Sequence, residues 1–206
     1  MIKVGSRTCF IVAIEGADRL GKATQTEILL NNLRRSNIRA THEEVPWKDN
    51  ITYDLIYKML NNGDAVEHPV VFQTYQGCNR LIMQTQYLQG LAMHFDVILL
   101  DRWTPSTWVY GRVSGVTDDQ TETILQDVWD PDFTVILDGK SFDMPDKRAD
   151  DYEKSVAFQE SIREGYLQWF ETHQENAAIV NANRDRHTVS SDIAEVVLRF
   201  LTDVRA

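Results

Sequence analysis

Two hydrophobic periods share this chain. Phe10-Ile11-Val12-Ala13-Ile14 is an unbroken apolar run, short and β-branched, the pattern of a parallel strand buried on both faces. Ile28, Leu29, Leu30 and Leu33 then recur at helical spacing, so a helix follows. Residues Ile38 to Val45 predict a second strand, ended by Pro46. Tyr53 to Leu60 predict a short helix stopped by Asn61-Asn62-Gly63. Pro69 suits a first helical turn, and Val70 to about Gln89 predict a long helix before Gly90. Phe95 to Leu100 form a third apolar strand that runs into Asp101-Arg102. A helix is expected within Asp118 to Val128, a strand over Phe133 to Leu137, a helix over Glu153 to Phe170 and a strand at Ala178-Ile179-Val180. The last helix carries Ile193, Val196, Val197, Phe200 and Leu201 on one face, with Asp192 and Glu195 at capping-box spacing. Strands alternating with helices predict an α/β fold of three layers, a central five-stranded parallel sheet flanked by helices. The 206 residues show no repeat or linker, and are expected to form one domain over 1–206.

The junction between the first strand and the first helix carries the chemistry. Gly16, four residues and then Gly21-Lys22 have the spacing of a phosphate-binding loop. Glycines let the backbone turn and aim its N–H groups inward, the helix N-terminus adds positive potential, and Lys22 reaches the outer phosphates of a nucleotide. The expected fold is therefore a P-loop NTPase fold. One position departs: where Ser or Thr usually follows the lysine and ligates Mg²⁺, this chain has Ala23, with Thr24 next. An apolar strand that ends in Asp101 has the form of a Walker B element, with its carboxylate near that ion; the alternative is an ordinary capping aspartate. Residues 139–151, polar and of mixed charge, read either as a solvated loop or as a lid over the phosphates.

Composition narrows the partners. A net charge of −10 argues against a nucleic-acid groove, since phosphate backbones reward basic faces, yet leaves room for a cationic pocket for one nucleotide. Cys9 and Cys78 form no disulfide framework and suit a reducing cytoplasm. MIKVGSRT lacks the long apolar segment of a secretory signal, and no run approaches membrane-spanning length.

Five blocks in order resemble the thymidylate kinase family across nearly the whole chain. They are EGADRLGKATQ at 15–25, Asn79-Arg80, Asp101-Arg102-Trp103 with Ser106 and Tyr110-Gly111, Asp151-Tyr152-Glu153 with Phe158-Gln159-Glu160, and Val180-Asn181-Ala182-Asn183. The resemblance implies transfer of the γ-phosphate of ATP, with Mg²⁺, to dTMP or a related pyrimidine deoxynucleoside monophosphate such as dUMP or a 5-substituted dUMP. Because the acceptor is already an oxyanion, no strong base is needed, and catalysis is positioning plus cancellation of charge.

In that scheme Gly16, Gly21, Lys22, Ala23, Thr24 and Asn183 hold ATP, and Arg19 meets the transferring group, as in eukaryotic-type members. Asp18 orients the acceptor sugar through its 3′-hydroxyl, Arg102 holds the acceptor phosphate, and Asp101 with Thr24 serves the metal. Arg80 reaches a base carbonyl and Tyr110 packs near the deoxyribose; Pro46, Trp47, Gln76, Ser106, Thr107 and Tyr152 complete the acceptor set. A homodimer is also implied.

Two departures border the acceptor pocket. Gln76 stands where the family usually places a stacking Phe, and Tyr75 beside it points about 100° away on a helix. Glu44-Val45-Pro46-Trp47-Lys48 replaces the family's usual loop after the second strand. Two other functions remain open at this point. A deoxynucleoside kinase would need a carboxylate base, for which Glu15 is the candidate, and a non-catalytic nucleotide-binding module is suggested by Ala23.

Overall fold

The structure, a computed structural model, describes residues 2–4, 7–140 and 156–204. Strands β2 (Arg7–Gly16), β3 (Ala40–Glu44), β4 (Val97–Asp101), β5 (Phe133–Asp138) and β6 (Ala177–Asn181) form one parallel sheet in the order β3-β4-β2-β5-β6. The five expected strands are present, with ends shifted by a few residues. A short strand that the pattern did not show, β1 (Ile2–Val4), pairs antiparallel with the start of β2.

The apolar run in β2 divides by parity. Phe10, Val12 and Ile14 face one core, with Leu29 and Leu33 of α1 (Lys22–Arg35), Ile162 and Tyr166 of α8 (Val156–Glu171), and Ile193 and Val197 of α9 (Arg186–Asp203). Cys9, Ile11 and Ala13 face the other, with Met83 at the end of α4 (Pro69–Met83) and Leu125 of α7 (Asp118–Leu125). Alternation on a strand buried from both sides explains why the sequence shows an unbroken run rather than an amphipathic one. Each fully buried Ile or Leu here stabilises the fold by about 1.5–3 kcal/mol, so the central strands give a rigid base to the loops at their carboxyl ends.

Two helical expectations are corrected. The long helix does not run evenly to Gln89: α4 passes at Gln84–Leu88 into a π-helical turn and then α5 (Gln89–Leu91). At that turn the Gln84 amide donates to the Asp127 carbonyl (2.9 Å) and accepts from Trp129 N (2.7 Å). The last helix starts not at Asp192 but at Asp185, whose carboxylate accepts from His187 N and Thr188 N; Asp192 sits inside the helix and pairs with Arg184. A helix not foreseen, α6 (Thr104–Val113), follows β4 directly. Two shorter helices, α2 (Tyr53–Asn62) and α3 (Asp64–Glu67), connect β3 to α4. Among the described residues no helix is long and apolar enough to cross a membrane.

Candidate active site

The loops after β2, β3 and β4 open at the same edge of the sheet, where ligands collect in open α/β folds. Gly16 ends β2 at φ +134°, and a Cβ there would lie 2.5 Å from the Leu137 carbonyl oxygen of neighbouring β5. Only glycine fits that approach. Gly21 caps α1 in the left-handed region, and no side chain caps the helix. The first-turn N–H groups of α1 are therefore left for an anion.

Lys22 begins α1 and is buried. Its Nζ donates to the carbonyls of Ala17 (2.8 Å) and Gly16 (3.3 Å) and lies 3.9 Å from Asp18 Oδ1. Burial, helped by the nearby Arg102 charge, lowers its pKa from 10.5 to about 8, against the pull of Asp18, Asp101 and Glu15. Arg102 leaves β4 at φ +69° and forms an ion pair with the same Asp18 oxygen. Its other terminal nitrogen donates over 3.3–3.4 Å to the Gly16 carbonyl, Ser106 Oγ and Tyr166 Oη. Asp18 also accepts from Gln159 (3.0 Å) and the Tyr110 hydroxyl (3.2 Å). Burial works to raise the Asp18 pKa, but Arg102, Lys22 and these hydrogen bonds outweigh it and hold the carboxyl below its ordinary range. Burial drives the Tyr110 and Tyr166 phenols well above theirs, so both remain protonated.

Beneath this group lies Glu15, fully buried at the end of β2. Its carboxylate accepts from Trp103 N, Ser106 Oγ and Tyr166 Oη, each at 2.7 Å.

A cavity of about 300 Å³ opens beside these charges. Asp18, Arg102, Ser106 and Tyr110 line one part, and Tyr57 and Leu60 of α2 another. Val45 and Pro46, joined by a cis peptide bond, come from the β3 loop, and Phe72, Gln73, Gln76 and Arg80 from α4. Arg80 is 3% exposed and makes no ion pair among the described residues. Its Nη1 donates to the Gln76 carbonyl (3.0 Å) and Gln76 Oε1 (3.1 Å), while its buried Nε has no hydrogen-bond partner among the described residues. Burial lowers the Arg80 pKa to about 10, which leaves it charged at neutral pH.

Of the expected acceptor set, Asp18, Pro46, Gln76, Arg80, Arg102, Ser106 and Tyr110 line this cavity. Trp47 does not. Its ring stacks on Tyr87 with centroids 5.2 Å apart, and Asn79 holds its backbone N–H (2.7 Å) and carbonyl (3.2 Å). Thr107 is buried outside the lining, because successive helix positions point about 100° apart and Ser106 takes the facing one. Tyr152 lies outside the described residues, as do residues 141–151 of the expected lid.

On the donor side, Ala23 and Thr24 are exposed in the first turn of α1. Arg19 is half-buried at the loop tip with φ +61°, and it does not line the cavity. The Asn183 amide is occupied: it accepts from Lys140 N (2.5 Å) and donates to the Lys140 carbonyl (2.8 Å), so it fastens the backbone at Lys140. The Asp101 carboxylate has no hydrogen bond or ion pair among the described residues.

Sequence reasoning missed Gln73, Tyr166 and the role of Gln159. Only Gln159 carried a signal, its place in the block Phe158-Gln159-Glu160. Glu15 was considered only as a base.

The chain is similar to known proteins over most of its length. The family model described as thymidylate kinase matches residues 14–193. Thymidylate kinase of Ruegeria pomeroyi is 25% identical over 219 residues, covering 97% of this chain and 100% of that protein. The thymidylate kinase of African swine fever virus is 28% identical over 131 residues; the match takes in 63% of this chain and 52% of the viral protein, about half its length. The solved structure of thymidylate kinase from Candida albicans superposes with a TM-score of 0.76 at 21% identity, covering 93% of this chain and 92% of that one, which shows the same fold. With a phosphate loop, a buried lysine and a matched span of residues 14–193, the chain belongs to the thymidylate kinase family of phosphotransferases.

Proposed function

We propose that this chain transfers the γ-phosphate of ATP to the 5′-phosphate of dTMP or a closely related pyrimidine deoxynucleoside monophosphate. The observation that carries this reading is the double engagement of one oxygen, Asp18 Oδ1, by Lys22 and by Arg102. Lys22 belongs to the phosphate loop and serves the donor. Arg102 faces the cavity and serves the acceptor. Two phosphates drawn to these cations are brought side by side, which is what phosphoryl transfer between them requires.

Arg102 has room for this task. Three of its contacts are long bonds to neutral oxygens, which phosphate oxygens replace with stronger, charge-assisted ones. The incoming phosphate repels Asp18, so the acceptor sugar hydroxyl is the fitting partner for that carboxylate. Tyr110, against Asp18 and under the Arg102 guanidinium (5.1 Å), fills the space beside the sugar. Arg80, a buried cation without a carboxylate partner, supplies donors for a base carbonyl. Arg19, on the strained loop tip, would meet the transferring phosphoryl group.

Mg²⁺ fits the residues present. It is commonly held by one or two carboxylates with phosphates and water, and the Asp101 carboxylate at the end of β4, unpaired among the described residues, would supply one. Thr24 is the nearest hydroxyl in sequence to the position that Ala23 leaves without oxygen. When bound, the ion would neutralise charge on the ATP phosphates.

Glu15 argues against a deoxynucleoside kinase. Its two oxygens are buried and committed to three donors, so it is unavailable as a base for a sugar hydroxyl. We place the enzyme in the reducing cytoplasm, in keeping with two free cysteines, and as a homodimer, in keeping with exposed Val66, Val70 and Val71. A coupled ADP-release assay tests the activity: release with dTMP, dUMP or a 5-substituted dUMP supports it, and release only with thymidine contradicts it.

A further inference from the structure

The face of α4 toward the cavity carries Gln73, Gln76 and Arg80, at positions i, i+3 and i+7 of one helix. The two amides stand in different states. Gln76 Oε1 accepts from Arg80 Nη1, so Gln76 acts as a bracket for the arginine. Gln73 is 2% exposed, and its amide has no hydrogen-bond partner among the described residues. A polar side chain on a cavity wall pairs with whatever occupies the cavity, and Gln73 is one of the residues lining this one.

We propose that Gln73 is a specificity-determining residue, and that the preferred acceptor is a deoxyuridylate carrying a hydrogen-bonding group on C5, such as hydroxymethyl, over dTMP. This rests on the pyrimidine monophosphate kinase reading and names the substrate within it. The methyl of thymine neither donates nor accepts, so it leaves the Gln73 amide unpaired. A hydroxymethyl oxygen accepts from the amide N–H, and its O–H donates to the amide carbonyl. Sites built to pair with a polar substrate group discriminate against the analogue lacking it.

The test is kcat/KM for dTMP, dUMP and 5-hydroxymethyl-dUMP with ATP, on wild type, Gln73→Leu and Gln73→Met, the last keeping the length of the side chain. Wild type is expected to favour 5-hydroxymethyl-dUMP over dTMP by about 10-fold or more, a ratio that both variants bring to one or below while the KM for ATP is unchanged. Equal use of both nucleotides, or a dTMP preference that neither variant alters, overturns the role of Gln73 alone. Failure of wild type to phosphorylate any of the three overturns both this proposal and the reaction it rests on.

Discussion

Asp18 and Arg102, 84 positions apart in the chain, form an ion pair between the loops that follow adjacent strands β2 and β4. Lys22 approaches the same carboxylate from α1. One acidic side chain thus holds two cations near one point, and the division of labour proposed between them can be measured.

Arg102→Ala is expected to raise the KM for the monophosphate by about 10- to 100-fold and to change that for ATP little, since a lost hydrogen bond to a charged group costs about 1.5–3 kcal/mol. Lys22→Ala is expected to lower kcat by about 10²–10³-fold, as loss of a donor aimed at developing charge does. Steady-state kinetics with each substrate varied separates the two. Equal effects on both substrates from Arg102→Ala would remove it from the acceptor side.

The Lys22 pKa of about 8 gives a pH signature. In the proposed reaction the charged form binds ATP, so kcat/KM for ATP, which reports the free enzyme, should fall above about pH 8. Bound phosphates favour the charged lysine, so the fall in kcat should lie at higher pH. Folding shows the reverse sign: between about 8 and 10.5 the unfolded chain binds more protons, and Lys22 adds stability as pH rises. Denaturant titrations of wild type and Lys22→Met across that range check this, with a flatter response in the variant.

Asp18 behaves as an ion-paired carboxylate. Its folded pKa lies below the ordinary value, so its contribution to stability is present above about pH 4 and is lost as pH falls through the folded value. Asp18→Asn should therefore lose less stability than wild type below about pH 4. Parallel acid curves for the two proteins would contradict this.

Glu15 is expected to act through Arg102 rather than on substrate. Glu15→Gln places an amide N–H₂ against the donors Ser106, Tyr166 and Trp103, and frees the two hydroxyls to turn toward Arg102. The KM for the monophosphate should rise by about 10-fold with that for ATP unchanged, and Tyr166→Phe added to Glu15→Gln should recover part of it. A change in Tm with both KM values intact would make Glu15 purely structural.

The parts of this site that were legible in sequence are those set by local backbone. Gly16, Gly21 and Lys22 were readable because turn, capping and anion binding depend on residue type at short spacing. Asp101 and Arg102 were readable because an apolar strand ends there. Contacts made by tertiary packing were not. Glu15 meets Tyr166 across 151 positions, and Gln159 meets Asp18 across 141, with no periodicity to announce either. Trp47, expected in the acceptor set, lies outside the cavity lining for the same reason: Asn79 of α4 holds its backbone, and its ring stacks on Tyr87. Gln76, expected in the acceptor set, lines the cavity with its Oε1 taken by Arg80, and Gln73, three positions earlier on the same face, was not foreseen. Spacing placed both on the cavity face; only the hydrogen bonds distinguish them.

The central claim is that the acceptor is a phosphate held beside the donor by Lys22, Arg102 and the Asp18 carboxylate between them. Phosphorus NMR of the wild-type enzyme with ATP, Mg²⁺ and either dTMP or thymidine tests it most directly. The account predicts that the dTMP resonance is replaced by the two coupled resonances of a deoxynucleoside diphosphate as ADP forms, with thymidine unchanged. Appearance of a nucleoside monophosphate from thymidine while dTMP persists would contradict it.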